Sequence, residues 1–195
     1  MRKIIYGPPG TGKTYYLMNE LEKFLEKVDP SKIGYFTFSK NAAQEGKSRA
    51  MEKFNLTEKD LPYFRTLHSF CFNLLGLKKE NVMQEKDYRD LGKDIQIEFE
   101  GIRYDNDHEG VLHSKDPYIS LISLARNKRI SPLELYNRNG NNYNITYDKL
   151  EIIDKELYRY KKYKGLIDFI DMLEKFLDEG KALSLKLYLW MKRKI

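Results

Sequence analysis

The stretch Gly7-Pro8-Pro9-Gly10-Thr11-Gly12-Lys13-Thr14 constrains this chain more than any other, because it fits the pattern G-x-x-x-x-G-K-[ST]. Ahead of it, Lys3 to Tyr6 is a short, mostly apolar run suited to a buried parallel strand. Behind it, Tyr16, Leu17, Leu21, Phe24, Leu25 and Val28 recur at helical spacing until Asp29-Pro30 stops the helix. Strand, glycine loop and helix together make a phosphate cradle. Gly7, Gly10 and Gly12 permit a tight turn whose N–H groups face an anion, and the helix start adds unpaired donors and a positive dipole end. Lys13 is placed to reach the β- and γ-phosphates, and the hydroxyl of Thr14 to hold Mg²⁺. The nucleotide-contacting set is Gly7, Pro8, Pro9, Gly10, Thr11, Gly12, Lys13, Thr14 and Tyr15, with Lys13 and Thr14 as its catalytic members. A Gly-Pro turn that merely precedes a helix would not require this many fixed positions.

The 195 residues suit one domain of ordinary size, or one core with a sizeable insertion. A hydrophobic share of 41% beside 33% charged residues predicts a folded chain with a heavily charged surface. The net charge of +6 points mildly to a polyanionic partner, and 15 tyrosines with 10 phenylalanines make base stacking possible. No run approaches the roughly 18 apolar residues of a membrane span. The first residues lead directly into the phosphate loop, so no signal peptide is expected. The single cysteine, Cys71, permits no internal disulfide and fits a reducing cytoplasm. His108 and His113, far from Cys71, lack zinc-site spacing.

Further along, Ile33 to Phe38 reads as a strand, and Ser39 caps a helix running to about Phe54. Tyr63 to Leu67 makes a third short strand, followed by a helix from His68 to Leu77. This alternation predicts an α/β fold with a parallel sheet covered by helices. Residues 78–160 are polar and mostly helical, with helix starts at Asp116-Pro117 and at Ser131-Pro132 with Glu134. They read as an inserted helical subdomain between a 1–77 nucleotide-binding part and a 161–195 return. In that return, Leu166, Phe169, Ile170, Leu173, Phe176 and Leu177 mark an amphipathic helix ending at Gly180. Leu183, Leu185, Leu187 and Leu189 then alternate as in a strand.

Three stretches follow the loop in a distinctive order: Phe36-Thr37-Phe38-Ser39-Lys40-Asn41-Ala42-Ala43, Arg65-Thr66-Leu67-His68-Ser69-Phe70-Cys71 and Asp168-Phe169-Ile170-Asp171-Met172-Leu173. With the loop, they resemble motifs I, Ia and Ib and the D-F-x-D-[LM]-L segment of the UvrD/Rep/PcrA-like DNA helicases of superfamily 1. The resemblance covers about residues 1–77 and 161–183. It implies a RecA-like P-loop domain with an inserted, mainly helical subdomain, a partial helicase motor. It also implies ATP and Mg²⁺ as cofactors, and ATP-driven movement on single-stranded DNA with strand separation. Position by position, Phe38, Ser39 and Asn41 would contact the DNA strand, as would Thr66 and His68.

Several of these residues carry a second reading. Phe36 and Phe38 alternate on one strand, so at least one is a core candidate. His68 opens a helix, where histidines also cap or pack. Asp168 and Asp171 share a helix face, which suits a metal pair or acid–base chemistry as well as helix capping and contact with the sheet. The run Lys155 to Lys164 interleaves Arg159, Lys161, Lys162 and Lys164 with Tyr158, Tyr160 and Tyr163. It can be a nucleic-acid grip or a solvated helix face.

A motor of this kind needs an acidic pair at the end of an apolar strand. The one Asp-Glu pair after an apolar run, Asp178-Glu179, ends an amphipathic helix, and Met191-Lys192-Arg193-Lys194 follows the last strand. The expectation is a front piece of a helicase, or a free-standing remnant, that does not turn over ATP alone and lacks a C-terminal motor half. Other readings are a noncatalytic single-stranded DNA-binding or regulatory module and a small P-loop kinase, whose lid candidates would be Arg126 and Arg129. A AAA-type ATPase shares the loop but also needs the acidic pair.

Overall fold

A computed structural model describes residues 8, 10–99, 101–104, 112–139, 145–179 and 187–190. The strand expected at Lys3 to Tyr6, the loop positions Gly7 and Pro9, His108 and the basic ending at 191–194 lie outside the described residues. The architecture is mixed α/β and mostly helical, in two compact units: Met1–Phe70 with Lys181–Ile195, and Cys71–Gly180.

The first unit holds a parallel sheet. Strands β1 (Ile33–Thr37), β2 (Phe64–Thr66) and β5 (Leu187–Trp190) lie in the order β2-β1-β5. Tyr35 pairs with Phe64 and Thr37 with Thr66 on one side of β1, and Ile33 with Leu187 on the other. Every residue of β1 is buried, as expected of a central parallel strand covered on both faces. Its alternating side chains show how. Tyr35 stacks on Phe64 at 5.1 Å between ring centres, while Phe36, pointing to the opposite face, meets Phe70 at 4.6 Å.

Helices α1 (Lys13–Leu25) and α2 (Lys40–Phe54) serve the Tyr35 face. Met18 and Leu21 of α1 and Ala50 of α2 form one core with Ile33, Tyr35, Leu61 and Phe64. Gly46 of α2 is needed for close approach, since a Cβ there would lie 2.3 Å from Cε1 of Tyr35. Helix α3 (Leu67–Leu74) follows β2 directly and stops short of the expected Leu77. Gly76, at φ 63°, turns the chain there.

Burial pushes the Tyr35 phenol up to about 12, with Glu45 adding to the effect. An acid whose folded pKa is raised leaves stability intact below its ordinary value near 10 and removes it as pH climbs through the folded value. Alkaline titration from pH 10 to 12 should therefore cost the native state about 3 kcal/mol that Tyr35→Phe retains. Parallel denaturation curves of the two proteins across that window check this; identical pH profiles would contradict it.

The second unit is built from α4 (Glu85–Asp94), α5 (Pro117–Asn127), α6 (Pro132–Asn139), α7 (Tyr147–Lys164) and α8 (Phe169–Glu179), with a short antiparallel ladder between β3 (Arg103–Tyr104) and β4 (Leu112–His113). Its core joins Tyr88 and Leu91 of α4, Ile119, Leu121 and Ile122 of α5, Leu135 of α6, and Leu150, Ile153 and Leu157 of α7. The expected helix starts are built as their chemistry requires. Asp116 Oδ1 accepts from the N–H groups of Tyr118 and Ile119, both at 3.0 Å, and Ser131 Oγ accepts from Glu134 N at 3.0 Å.

Leu166 shares helical spacing with the α8 residues but is not in that helix. Gly165, left-handed at φ 65°, ends α7, and Asp168 caps α8 by accepting from the N–H groups of Ile170 (2.9 Å) and Asp171 (2.8 Å). Between them the chain is extended, with Ile167 N donating to Asn81 O at 2.8 Å and Met83 N to Ile167 O at 2.9 Å. The compact unit therefore runs from Cys71 to Gly180, wider than the 78–160 insertion read from composition. α7 passes through residue 160 without a break.

Candidate functional site

The loop ahead of α1 takes the conformation its glycines allow. Gly10 and Gly12 have φ of 82° and 74°, a left-handed region where L side chains are strained. Nothing lies within 4 Å of a Cβ built at either position, so backbone conformation, not crowding, is what requires glycine. Gly12 is the N-cap of α1, and its carbonyl accepts from Tyr16 N at 2.9 Å. Lys13 and Thr14 are thus the first two residues of the helix, at the positive end of its dipole. No acidic side chain occupies that first turn, so the positive end of the helix is left for an anion.

Lys13 Nζ donates to Pro8 O at 2.6 Å and to Thr11 Oγ1 at 3.4 Å, and Thr11 Oγ1 donates to Pro8 O at 2.8 Å. The ammonium is therefore held over the loop instead of extending into solvent. Tyr15 is 70% exposed. It lines a cleft of about 390 Å³ with Met18, Arg49, Glu52 and Lys53, between α1 and α2. The donor set of the loop fits a phosphate chain, and the Thr14 hydroxyl suits a hard cation.

The second group of expected residues gathers at the carboxyl ends of β1 and β2, which are neighbours in register. Thr37 and Thr66 end the two strands side by side, and both are buried. Ser39 Oγ caps α2 by accepting from Ala42 N at 3.2 Å, and Thr37 Oγ1 donates to Ser39 O at 2.8 Å. Thr66 Oγ1 accepts from Ser69 N at 3.1 Å at the start of α3. Phe38 and Ser39 are half-buried, Asn41 is exposed and His68 is buried. The structure thus brings Phe38, Ser39 and Asn41 to the same sheet edge as Thr66 and His68. The accessible atoms there belong to the first three.

Asp168 and Asp171 do more than cap a helix. Arg126 of α5 donates to Asp168 at 2.7 Å, to Asp171, and to Glu174 at 2.6 Å. Lys161 of α7 donates to Asp168 and Asp171 at 2.6 and 2.7 Å. Two cations and three carboxylates from three helices form one ionic cluster. Burial pushes the Asp168 carboxyl up, but Lys161 and Arg126 outweigh it and hold it below its ordinary range. Burial likewise opposes the charge on Arg126, and Asp168, Asp171 and Glu174 more than restore it. Arg126 is thereby committed to α8, which removes it as a lid over phosphates.

Sequence reading missed this cluster because its members are as many as 48 residues apart, the separation spanned by the Arg126–Glu174 bond. The only signal was an arginine and a lysine at otherwise apolar helix positions. Asp178 and Glu179 end α8 and are exposed, so they stand on a helix and not at a strand end. Among the described residues no group of three or more His, Cys, Asp or Glu side chains is placed to hold a metal ion, and no helix is long and apolar enough to cross a membrane. Cys71 is buried, which pushes its thiol up to about 11.

With this geometry in view, comparison with known proteins is specific. The family model of the UvrD/REP helicase N-terminal domain matches residues 2–190. A probable DNA helicase II homolog of Mycoplasma genitalium is 35% identical over 86 residues, 42% of this chain and 12% of that protein. Another, from Mycoplasma capricolum subsp. capricolum, is 32% identical over 96 residues, 48% of this chain and 13% of that protein. The chain spans about an eighth of the length of the curated relatives it matches. A match over nearly every residue, with the loop, strand ends and α8 start all in the order described, makes this chain a member of the UvrD/REP helicase N-terminal domain family.

Proposed function

We propose that this chain is the ATP-binding front portion of a UvrD-like DNA helicase motor, a RecA-like domain carrying a helical insertion. The observation that carries the reading is the loop: two left-handed glycines deliver Lys13 and Thr14 to a helix start free of acidic side chains. Backbone N–H groups across Gly7, Pro8, Pro9, Gly10, Thr11 and Gly12 (prolines excepted) surround the phosphates, Lys13 neutralises the terminal ones and Thr14 holds Mg²⁺. Tyr15 offers an exposed ring for the base. ATP supplies a phosphoryl bond whose hydrolysis can be coupled to movement.

Single-stranded DNA is taken at the carboxyl edge of the sheet. Phe38 offers a ring to a base, and Ser39 and Asn41 offer polar groups to phosphates at the start of α2. Thr66 and His68 shape that edge from within, Thr66 by capping α3. The cytoplasm is the chain's proposed compartment, and a C-terminal motor half its proposed partner. The acids a motor needs beside Mg²⁺ are not supplied by Asp178 and Glu179, which end a helix. Alone, the chain binds nucleotide without steady turnover.

ATP hydrolysis with and without single-stranded DNA, against Lys13→Ala, tests this. The expected result is nucleotide binding with turnover no greater than the variant's. DNA-stimulated turnover that disappears in Lys13→Ala would show that an acidic group of this chain completes the site. DNA binding by a protein with no affinity for nucleotide would point instead to a noncatalytic module.

A further inference from the structure

We propose that the outward face of α7 near its C-terminal end is a second surface for single-stranded DNA, made by residues other than those at the sheet edge. It goes beyond the reading above, sharing with it only the identity of the polyanion. One side of α7 is committed to the core through Leu150, Ile153, Leu157, Tyr160 and Lys161, all buried. On the other side, Tyr158 is 65% and Tyr163 86% exposed, and Lys155, Arg159 and Lys162 are exposed as well. At about 100° per residue, Tyr158, Lys162, Lys155, Arg159 and Tyr163 follow one another over an arc of about 140°. Three cations therefore stand between two aromatic rings.

The charge on this face is available. Lys155 pairs with Glu151 at 2.8 Å and Arg159 with Glu156 at 2.6 Å, both exposed pairs within α7 that a phosphate can replace at little cost. Lys162 and Lys164 have no carboxylate partner among the described residues, and both are exposed. Lys164 Nζ lies 5.8 Å from the ring centre of Tyr160 and 5.9 Å from that of Tyr163, so it bridges the buried ring and the exposed one at the edge of this face. Tyr160, two residues from Tyr158, is 8% exposed and packs in the core, so it offers no ring face to a base.

Cations flanked by accessible rings match a strand whose phosphates are charged and whose bases are unpaired. A duplex offers the phosphates but hides the ring faces on which tyrosines stack. The surface is thus fitted to a single strand with little preference for sequence.

The full chain should be irradiated with an oligothymidylate carrying 5-iodouracil, adducts mapped by mass spectrometry, and affinity followed by fluorescence anisotropy across salt concentrations. Adducts at Tyr158 or Tyr163 are expected. Tyr158→Ala with Tyr163→Ala should weaken binding by about thirtyfold or more at an unchanged salt slope, and Tyr163→Phe should retain the affinity. Arg159→Gln with Lys162→Gln should lower the slope by about 1.4, at about 0.7 for each phosphate that is no longer neutralised. These side chains are exposed, and an unchanged thermal melt verifies that the variants fold. Adducts confined to the Phe38 and His68 segments, with unaltered affinity in the α7 variants, would overturn this surface and leave the sheet-edge site standing. Failure of the unsubstituted chain to bind the oligonucleotide would overturn both, and equal binding of duplex without tyrosine adducts would overturn the stacking role.

Discussion

Lys161→Met is expected to destabilise the Cys71–Gly180 unit by about 3–5 kcal/mol at neutral pH, read from chemical denaturation. Only 8% of the Lys161 side chain and 9% of the Asp168 side chain are exposed, so this pair is largely out of water. Removing the lysine leaves Arg126, 18% exposed, to balance Asp168, Asp171 and Glu174 alone. The penalty comes mainly from a buried carboxylate without enough counter-charge, not from the missing hydrogen bonds. Adding Asp168→Asn to Lys161→Met should therefore recover part of the loss.

The pH dependence follows from the same charges. In the unsubstituted chain Asp168 is held below its ordinary 3.8 by Lys161 and Arg126. Its contribution is present above that value and disappears as pH falls through the lowered one. Without Lys161 the burial of Asp168 opposes ionisation with less to offset it, so the carboxyl can escape its penalty by taking a proton. The gap between variant and parent should narrow as the solution is acidified from pH 7 towards pH 4. A loss under about 1 kcal/mol at pH 7 would mean that water screens the cluster like a surface pair.

Lys13→Ala is expected to weaken binding of MgATP by about 10- to 150-fold, the equivalent of roughly 1.5–3 kcal/mol for a hydrogen bond to a charged group. Calorimetric titration measures it directly. The substitution should leave folding nearly unchanged, because Lys13 sits at the start of α1 and its bonds to Pro8 O and Thr11 Oγ1 are made at the surface. Gly12→Ala would act by another route, since an L side chain at φ 74° strains the cap of α1. Unaltered affinity in Lys13→Ala would remove the loop as the nucleotide site.

Local chemistry made much of this legible. The Ser39 cap, the Asp116-Pro117 start of α5 and the all-buried strand at Ile33–Thr37 could each be read from a few neighbouring residues, because capping and strand burial are decided within that span. The division at Gly165 was obscured by Leu166, whose spacing imitates the apolar stripe of α8. A left-handed glycine and an aspartate cap broke the periodicity, and the extended residues between found partners on the Asn81–Met83 segment instead. Asn81 and Ile167 are too distant in the chain for any local pattern to join them.

The sequence by itself determined the glycine loop, since G-x-x-x-x-G-K-[ST] specifies left-handed backbone, a helix start and a cation within eight consecutive positions. It determined equally the order of the two strand-to-helix junctions that carry Phe38, Ser39, Asn41, Thr66 and His68. Tertiary structure alone decided which of those side chains remain reachable: Thr66 and His68 are buried, while Asn41 is not. It decided as well that Arg126 and Lys161 serve Asp168 and Asp171, leaving Lys162 and Tyr163 facing outward. The reason is that burial and ion pairing depend on which helices pack together, and a charged residue carries no mark in its own neighbourhood of whether its partner is water, a phosphate or a carboxylate from another helix.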